Sequence, residues 1–442
     1  MRTQVKKCVV CAASVAVAAV LSAPVLSAPP ADWSNVATKT IKLFYPGQST
    51  YQWLRSPKHK RAYRKTIEGD SCISCHEGEE EEIGNKIVAG KLLEPAKLAG
   101  KQGVIDLKVQ AAYDDKNLYW RFQWKTRNNF PGRAHPQLRF DGKQWKQYGY
   151  PRLDKRVQSG EQPAIYEDRL AIMLDDGSVP VFKEQGCWLS CHTSERNMPD
   201  VVAKAQVKAH PYLGKLLKKK DVRKYLPASR SDDVPSWDKV KYPEEIVKIK
   251  AAGGFVDLMQ WRAHRSNPVD MADDGYVLEY RLFDSGKKMF SKNVNKKTKQ
   301  PKYMYDKSKV GVKSVTAETL RDPSMPYALV VGENAVAFDP NAGWKKGDMV
   351  PEYYLDRAAA KGSAADNNNA KGVWKDGMWT VVWTRPLDTG HPQDDKILKK
   401  GGVYTVGFAV HDDNITTRGH HVSFPLSLGI GAKADIEPVK VR

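Results

Sequence analysis

Cysteine is scarce in this sequence, with six in 442 residues. Cys8 and Cys11 fall inside an N-terminal leader and are expected to leave with it. The other four lie in two short motifs, so no thiol remains for a structural disulfide elsewhere. Long apolar runs are missing after residue 28, which excludes a later membrane-spanning helix. Acids are outnumbered: 51 Asp and Glu face 71 Lys and Arg, giving a net charge of +20. Such a surface favours anionic partners. Its lysines are scattered among acids rather than gathered on a recognisable binding motif, which argues against nucleic acid. The only internal repeat is the pair of cysteine motifs.

The leader has the build of a secretory signal. Arg2, Lys6 and Lys7 are followed by an apolar stretch from Val9 to Leu21 and small residues through Ser27-Ala28. The apolar stretch is short for a retained anchor. Residues 1–28 are therefore expected to be removed, and the mature chain to be periplasmic with no transmembrane anchor.

Cys72-Ile73-Ser74-Cys75-His76 spells C-x-x-C-H, the attachment pattern of a c-type haem. Two thiols about one turn apart reach the two porphyrin vinyl groups, and the histidine beside them supplies an axial imidazole. A zinc site would need two further ligands at finger-like spacing, and none is nearby. Cys187-Trp188-Leu189-Ser190-Cys191-His192 is a looser copy with one more residue between the thiols. The reading is two covalently bound haem c groups, on Cys72 and Cys75 and on Cys187 and Cys191, with His76 and His192 as axial ligands. For the sixth position of the first iron the choice is His59, seventeen residues before His76, in a basic helical stretch; His135, His420 and His421 compete. For the second iron the candidates are His264 and Met198. Met198 lies only six residues after His192, which favours His264. Methionine opposite histidine would raise the potential relative to two histidines.

Other polar groups have plainer readings. His210 and His391 lie in polar stretches and read as solvated, and His411 reads as a hydrogen-bonded turn residue. Asp175-Asp176, Asp273-Asp274 and Asp394-Asp395 read as turn structure. The acid run from Glu77 to Glu82 reads as a solvated loop, or as a negative patch at the haem edge.

Leu118, Trp120, Phe122 and Trp124 alternate with Tyr119, Arg121, Gln123 and Lys125, which is strand patterning. Asp114-Asp115-Lys116-Asn117 before them is a turn, so Ile105 to Trp124 reads as a hairpin. Further strands are expected over Met378–Thr384, Val403–Val410 and His421–Leu428. Pro243 to Lys250 reads as a helix, opened by proline and acids, rich in lysine at its end and stopped by Gly253-Gly254. Ala358 to Gly372 reads as a polar loop.

Several spaced stretches carry a family likeness. They include Glu167-Asp168-Arg169-Leu170-Ala171-Ile172-Met173, Gly186 to His192, Trp261-Arg262-Ala263-His264-Arg265-Ser266-Asn267-Pro268, Trp374-Lys375-Asp376-Gly377-Met378-Trp379 and His420-His421-Val422-Ser423. Together they resemble the haem-binding domain of the ethylbenzene dehydrogenase gamma subunit and its relatives in dimethyl sulfide dehydrogenase-type molybdoenzymes. The resemblance covers about residues 100 to 435. It implies a mainly β fold, an immunoglobulin-like antiparallel β-sandwich with helical insertions and one b-type haem held by methionine and lysine. Met198 stands where the family methionine would be, and Arg262 or His264 occupies the lysine's stretch. The added cysteines and the earlier motif make this chain look like a dihaem c-type offshoot. The expected organisation is a signal at 1–28, a small helical c-type haem segment at 29–98, and the sandwich at 99–442 with its second haem in an insertion at about 180–265.

Such a chain would relay single electrons with an acidic redox partner, a molybdopterin oxidoreductase or a quinol-oxidising complex. Electron transfer is favoured over catalysis. The alternative is a haem enzyme reducing peroxide or a nitrogen oxide at a five-coordinate iron, and the sixth ligand separates the two.

Overall fold

The computed structural model describes residues 28–90, 93–94, 98–127, 132–190, 201–217, 222, 224–233, 235–416 and 419–441. Its frame is antiparallel β-sheet. Nine strands carry most of its main path: β1 (Lys39–Phe44), β2 (Val104–Tyr113), β3 (Asn117–Lys125), β4 (Arg169–Asp175), β5 (Val256–Arg262), β6 (Asn369–Lys375), β7 (Met378–Pro386), β8 (Val403–His411) and β9 (His421–Val422). They pair in the order β6-β7-β3-β2-β1-β9-β8-β4-β5, and each neighbouring pair is antiparallel. Two short strands, Gly275–Val277 and Arg281–Phe283, continue the path past β5.

The expected hairpin is β2–β3. Asp114 makes its turn: Oδ1 accepts from the backbone N–H of Lys116 and of Asn117, both at 2.7 Å. Alternation then sends Trp120, Phe122 and Trp124 to one face, where they stand opposite Trp383, Val381 and Trp379 of β7. The C-terminal strands form as expected, with the last one broken into His421–Val422 and Leu426–Gly429. Pro425 lies in the break.

The two layers of the core are halves of one curled sheet. The β6-β7-β3-β2 half faces the β8-β4-β5 half, with Trp120 against Phe408 at 5.9 Å and Trp261 against Trp379 at 4.9 Å between ring centroids. Edge-to-face aromatic pairs of this kind add about 0.5–1.5 kcal/mol each beyond their burial. Asn267 ties the halves together: its Oδ1 accepts from Trp261 Nε1 and from the Gly372 N–H, and its Nδ2 donates to the Gly372 carbonyl. A Cβ at Gly372 would lie 2.2 Å from the Trp261 ring, so this position admits only glycine.

The segment at 29–98 is not set apart from this sheet. β1 pairs with β2 over six residues and with β9 at Phe44–Val422, so the segment supplies the strand that joins the two halves. Around β1 it is helical, with short helices at Tyr51–Leu54, Ala62–Glu68, Ile73–His76 and Glu80–Val88. The acid run expected as a loop starts the last of these. Glu80, Glu81 and Glu82 sit in its first turn, where the helix dipole favours negative charge. The expected helix at Pro243 extends to Ala251. The stretch expected as a polar loop contains two short turns, Ala358–Ala360 and Ala364–Asn367, and then enters β6. Residues from about 132 to 165 and 290 to 355 build smaller sheets around Leu138, Tyr305, Leu329 and Met349. Among the described residues no helix is long and apolar enough to cross a membrane.

Candidate functional site

The first cysteine motif lies in a single turn, with the His76 N–H donating to the Cys72 carbonyl at 3.1 Å. The helix before it stops at Gly69, whose φ of +92° is open to glycine at no cost. The turn is held against the sheet from outside, as Cys72 N–H donates to the Glu184 carbonyl and Gln185 Nε2 donates to the Thr66 carbonyl. Cys72 and Cys75 both line a cavity of about 320 Å³, within the size range of cofactor sites. Its apolar wall is Phe44, Trp188 and Phe424, a cluster with ring centroids 4.9–5.7 Å apart. Lys58, Lys60, Lys65 and Lys86 also line it. Burial pushes the Cys72 thiol up to about 11.

His59 and His76 face each other in this cavity. Their ring centroids are 6.4 Å apart and their planes differ by 18°. An imidazole–metal bond of about 2.0 Å and about 1.1 Å from ring nitrogen to centroid place two rings on one metal about 6.2 Å apart. Each ring is held through Nδ1: that of His59 pairs with the Leu54 carbonyl at 3.0 Å, and that of His76 with Glu79 Oε2 at 2.9 Å. Nε2 of each is left for a ligand bond, the arrangement metal-bound histidines adopt. Desolvation lowers the His59 pKa, against the bond to the Leu54 carbonyl that raises it, which favours the neutral, ligating form. The His59 turn is fixed by Ser56, whose side chain caps Pro57–His59. The donor set and spacing fit one iron between two imidazoles.

Cys187 lies at the second motif, in a buried turn from Gly186 to Ser190. Cys191, His192 and Met198 lie outside the described residues. Cys187 lines a second cavity with Met173, Gly407, His411 and His420. This void is about 50 Å³, smaller than a porphyrin. Beside it a Cβ on Gly407, buried in mid-strand, would meet nothing within 4 Å. Arg169, Lys224 and Arg281 also line it. The His411 and His420 rings stack at 4.6 Å, and burial holds the His411 imidazole well below its usual range.

The two cavities are back to back. Cys187 lines the second and the next residue, Trp188, lines the first. Phe44 and Val422 are paired across β1 and β9, and they too line the first and the second.

His264 does not line either cavity. It sits beside His135, with ring centroids 5.6 Å apart, and its N–H donates to Glu167 Oε2 at 3.0 Å. Glu167 also accepts from Arg265 Nε at 2.7 Å. His421 pairs with the Gln102 carbonyl through Nε2, and His420 faces the second cavity, not the first. His210 is not solvated: its Nδ1 accepts from the Leu213 N–H at 3.0 Å and its Nε2 pairs with the Asp238 carbonyl. His411 ends β8 rather than lying in a turn, and its Nδ1 has no hydrogen-bond partner among the described residues. The Trp188 wall and the His411–His420 pair were not marked as a site by sequence; the signals available were the tryptophan inside the second motif and the histidines at adjoining strand ends.

The chain is 28% identical over 414 residues to cytochrome c-552 of Stutzerimonas stutzeri, covering 93% of this chain and 91% of that protein. It is 31% identical over 176 residues to cytochrome c-551 of Rhodocyclus tenuis, 39% of this chain and 60% of that one. The ethylbenzene dehydrogenase family profile matches residues 31–423, nearly the whole chain. The chain therefore belongs to the ethylbenzene dehydrogenase family.

Proposed function

We propose that this protein is an exported dihaem c-type cytochrome that relays single electrons. The observation that carries the reading is the His59–His76 pair, spaced for both axial positions of one iron. A haem bound there supplies reversible one-electron chemistry. Cys72 and Cys75 would tether it, and Phe44, Trp188 and Phe424 would keep water from its face. With both imidazoles bound, no position stays open for a substrate. That favours a carrier over a peroxide- or nitrogen-oxide-reducing enzyme.

A second haem would be held by Cys187, Cys191 and His192. The basic side chains around Cys187 suit its propionates, and His411 and His420, which line this cavity, are better placed than His264 to supply a sixth ligand, while Met198 lies outside the described residues. The shared wall of the two cavities supports short-range transfer between the groups. The relatives' names, cytochrome c-552 and cytochrome c-551, support haem c and a location outside the cytoplasm. The net charge of +20 supports an acidic redox partner, a molybdopterin oxidoreductase or a quinol-oxidising complex.

The test is a pyridine haemochrome assay with intact mass on the exported protein, and spectra of both redox states with and without carbon monoxide. Two covalent haems, low-spin in both states and indifferent to carbon monoxide, are expected. A high-spin iron that binds carbon monoxide overturns the carrier reading; one covalent haem overturns the dihaem part.

A further inference from the structure

Far less solvated than turn residues would be, five aspartates converge at one end of the sheet. Asp257 is on β5, Asp274 precedes the strand Gly275–Val277, Asp284 follows the strand Arg281–Phe283, and Asp394 and Asp395 lie in the loop after β7. One carboxylate oxygen from each of Asp257, Asp274 and Asp395 lies within 4.8 Å of the other two. The same holds for Asp284, Asp394 and Asp395, so the two triads share Asp395. Asp257, Asp274, Asp394 and Asp395 are at most 3% exposed.

The protein answers this charge poorly. Arg385 Nη2 donates to Asp257 Oδ2 at 2.9 Å, Asn368 Nδ2 to Asp274 Oδ2, and the Ser285 N–H to Asp394 Oδ2 at 2.9 Å. Lys396 turns its ammonium to Asp175 and Asp176, although its backbone N–H donates to Asp257 Oδ2 at 3.2 Å, and the Gly275 N–H donates to Asp274 Oδ1 at 2.9 Å. Oδ1 of Asp257, Oδ1 of Asp394 and both oxygens of Asp395 have no hydrogen-bond partner among the described residues. Buried carboxylates left so are costly unless a cation or a proton completes them.

We infer that Asp257, Asp274, Asp284, Asp394 and Asp395 form a buried calcium site that pins the loop after β7 to β5 and its neighbouring strands. All donors are oxygens, which selects a hard cation over zinc or copper. Calcium bonds oxygen at about 2.3–2.6 Å, so oxygens on opposite sides of one ion stand up to about 5 Å apart. Magnesium at about 2.1 Å would need a tighter set. The shared Asp395 is the ligand whose loss matters most. The site is independent of the haem reading, because none of its residues lines either haem cavity.

The test uses the full-length exported protein, with calcium and iron measured in the same elemental analysis after dialysis against metal-free buffer. Calcium bound stoichiometrically, and a melting temperature that falls with EGTA and recovers with Ca²⁺ but not with equal Mg²⁺, are expected. Asp395→Ala is expected to weaken Ca²⁺ binding by about 100-fold or more, since even outer partners of a metal site cost about 10–100-fold, while iron content stays constant. If that variant does not fold, Asp395→Asn and Asp394→Asn are measured by calcium titration of the EGTA-stripped protein. Wild-type protein that takes up no Ca²⁺ at millimolar concentration and melts identically in EGTA overturns the inference, and leaves the carboxyls sharing protons. Variants that bind as tightly as wild type also overturn it.

Discussion

Glu79 offers a direct test of the haem proposed at Cys72, Cys75 and His76. Its Oε2 sits 2.9 Å from His76 Nδ1 and places a negative charge behind the proposed ligand. That charge stabilises the oxidised iron, so Glu79→Gln, which keeps an acceptor oxygen but removes the charge, should raise the potential. The 2.9 Å contact, about 2 Å across the ring and about 2 Å of metal–nitrogen bond put the charge about 7 Å from the metal. The side chain is 46% exposed, so an effective dielectric of about 40–80 applies. Coulomb's law then gives about 0.6–1.2 kcal/mol, or roughly 25–50 mV for a one-electron couple. Spectroelectrochemical titration would read this as an upward move of one midpoint potential with the other in place. The shift should shrink in about 1 M salt, where screening reaches within about 3 Å. An unchanged or lowered potential, with the low-spin spectrum intact, would refute the role given to Glu79 and the assignment of His76 as the ligand behind it.

His59→Ala should open the sixth position: the first haem becomes high-spin and binds carbon monoxide, read by absorbance, and an unaltered low-spin spectrum would remove His59 from the ligand set. Replacing both Cys187 and Cys191 by serine should halve the covalent haem measured as pyridine haemochrome, with Cys72 and Cys75 still loaded. The stability contributed by His264 should fall with acid. Burial holds the His264 imidazole at about 4 against an ordinary 6.5, so between those values the unfolded chain binds a proton the folded one refuses. Stability lost on acidification through that window is about 1.4 kcal/mol per pH unit from this residue, about 3 kcal/mol in all; His135 and His421 act in the same direction. Denaturant midpoints at pH 7 and pH 4.5, compared with those of His264→Gln, measure it, and an equal pH dependence in the variant would contradict the buried neutral state.

Local rules made much of this molecule legible. Alternation and the Asp114 turn disclosed β2 and β3, and proline, acids and lysines disclosed the helix at Pro243–Ala251. The spacing of Cys72, Cys75 and His76 marked a candidate attachment point within five residues, and the structure brings both thiols to one cavity. β1 was not legible. Its six residues, Lys-Thr-Ile-Lys-Leu-Phe, are short, and both partners are remote in sequence. The burial of His411, Asp394 and Asp395 was hidden for the same reason: turn-like neighbours describe solvated loops equally well, and only packing from other strands dries them. The acid run misled because negative residues favour both a solvated loop and the start of a helix.

Because β1 pairs with β9 at Phe44–Val422, the seam of the sheet joins residues from near the two ends of the chain. Synthesis delivers them far apart in time. Until the last strands arrive, β1 has no neighbour on one side, and the Cys72–Cys75 turn lacks the Phe424 part of its wall. Pairings of such long range form slowly. The Phe424 side of the pocket is therefore completed only after the rest of the sheet. For the haem proposed at Cys72 and Cys75, this topology puts attachment before completion of the wall, and a chain cut short before Val422 would lack that side of the pocket.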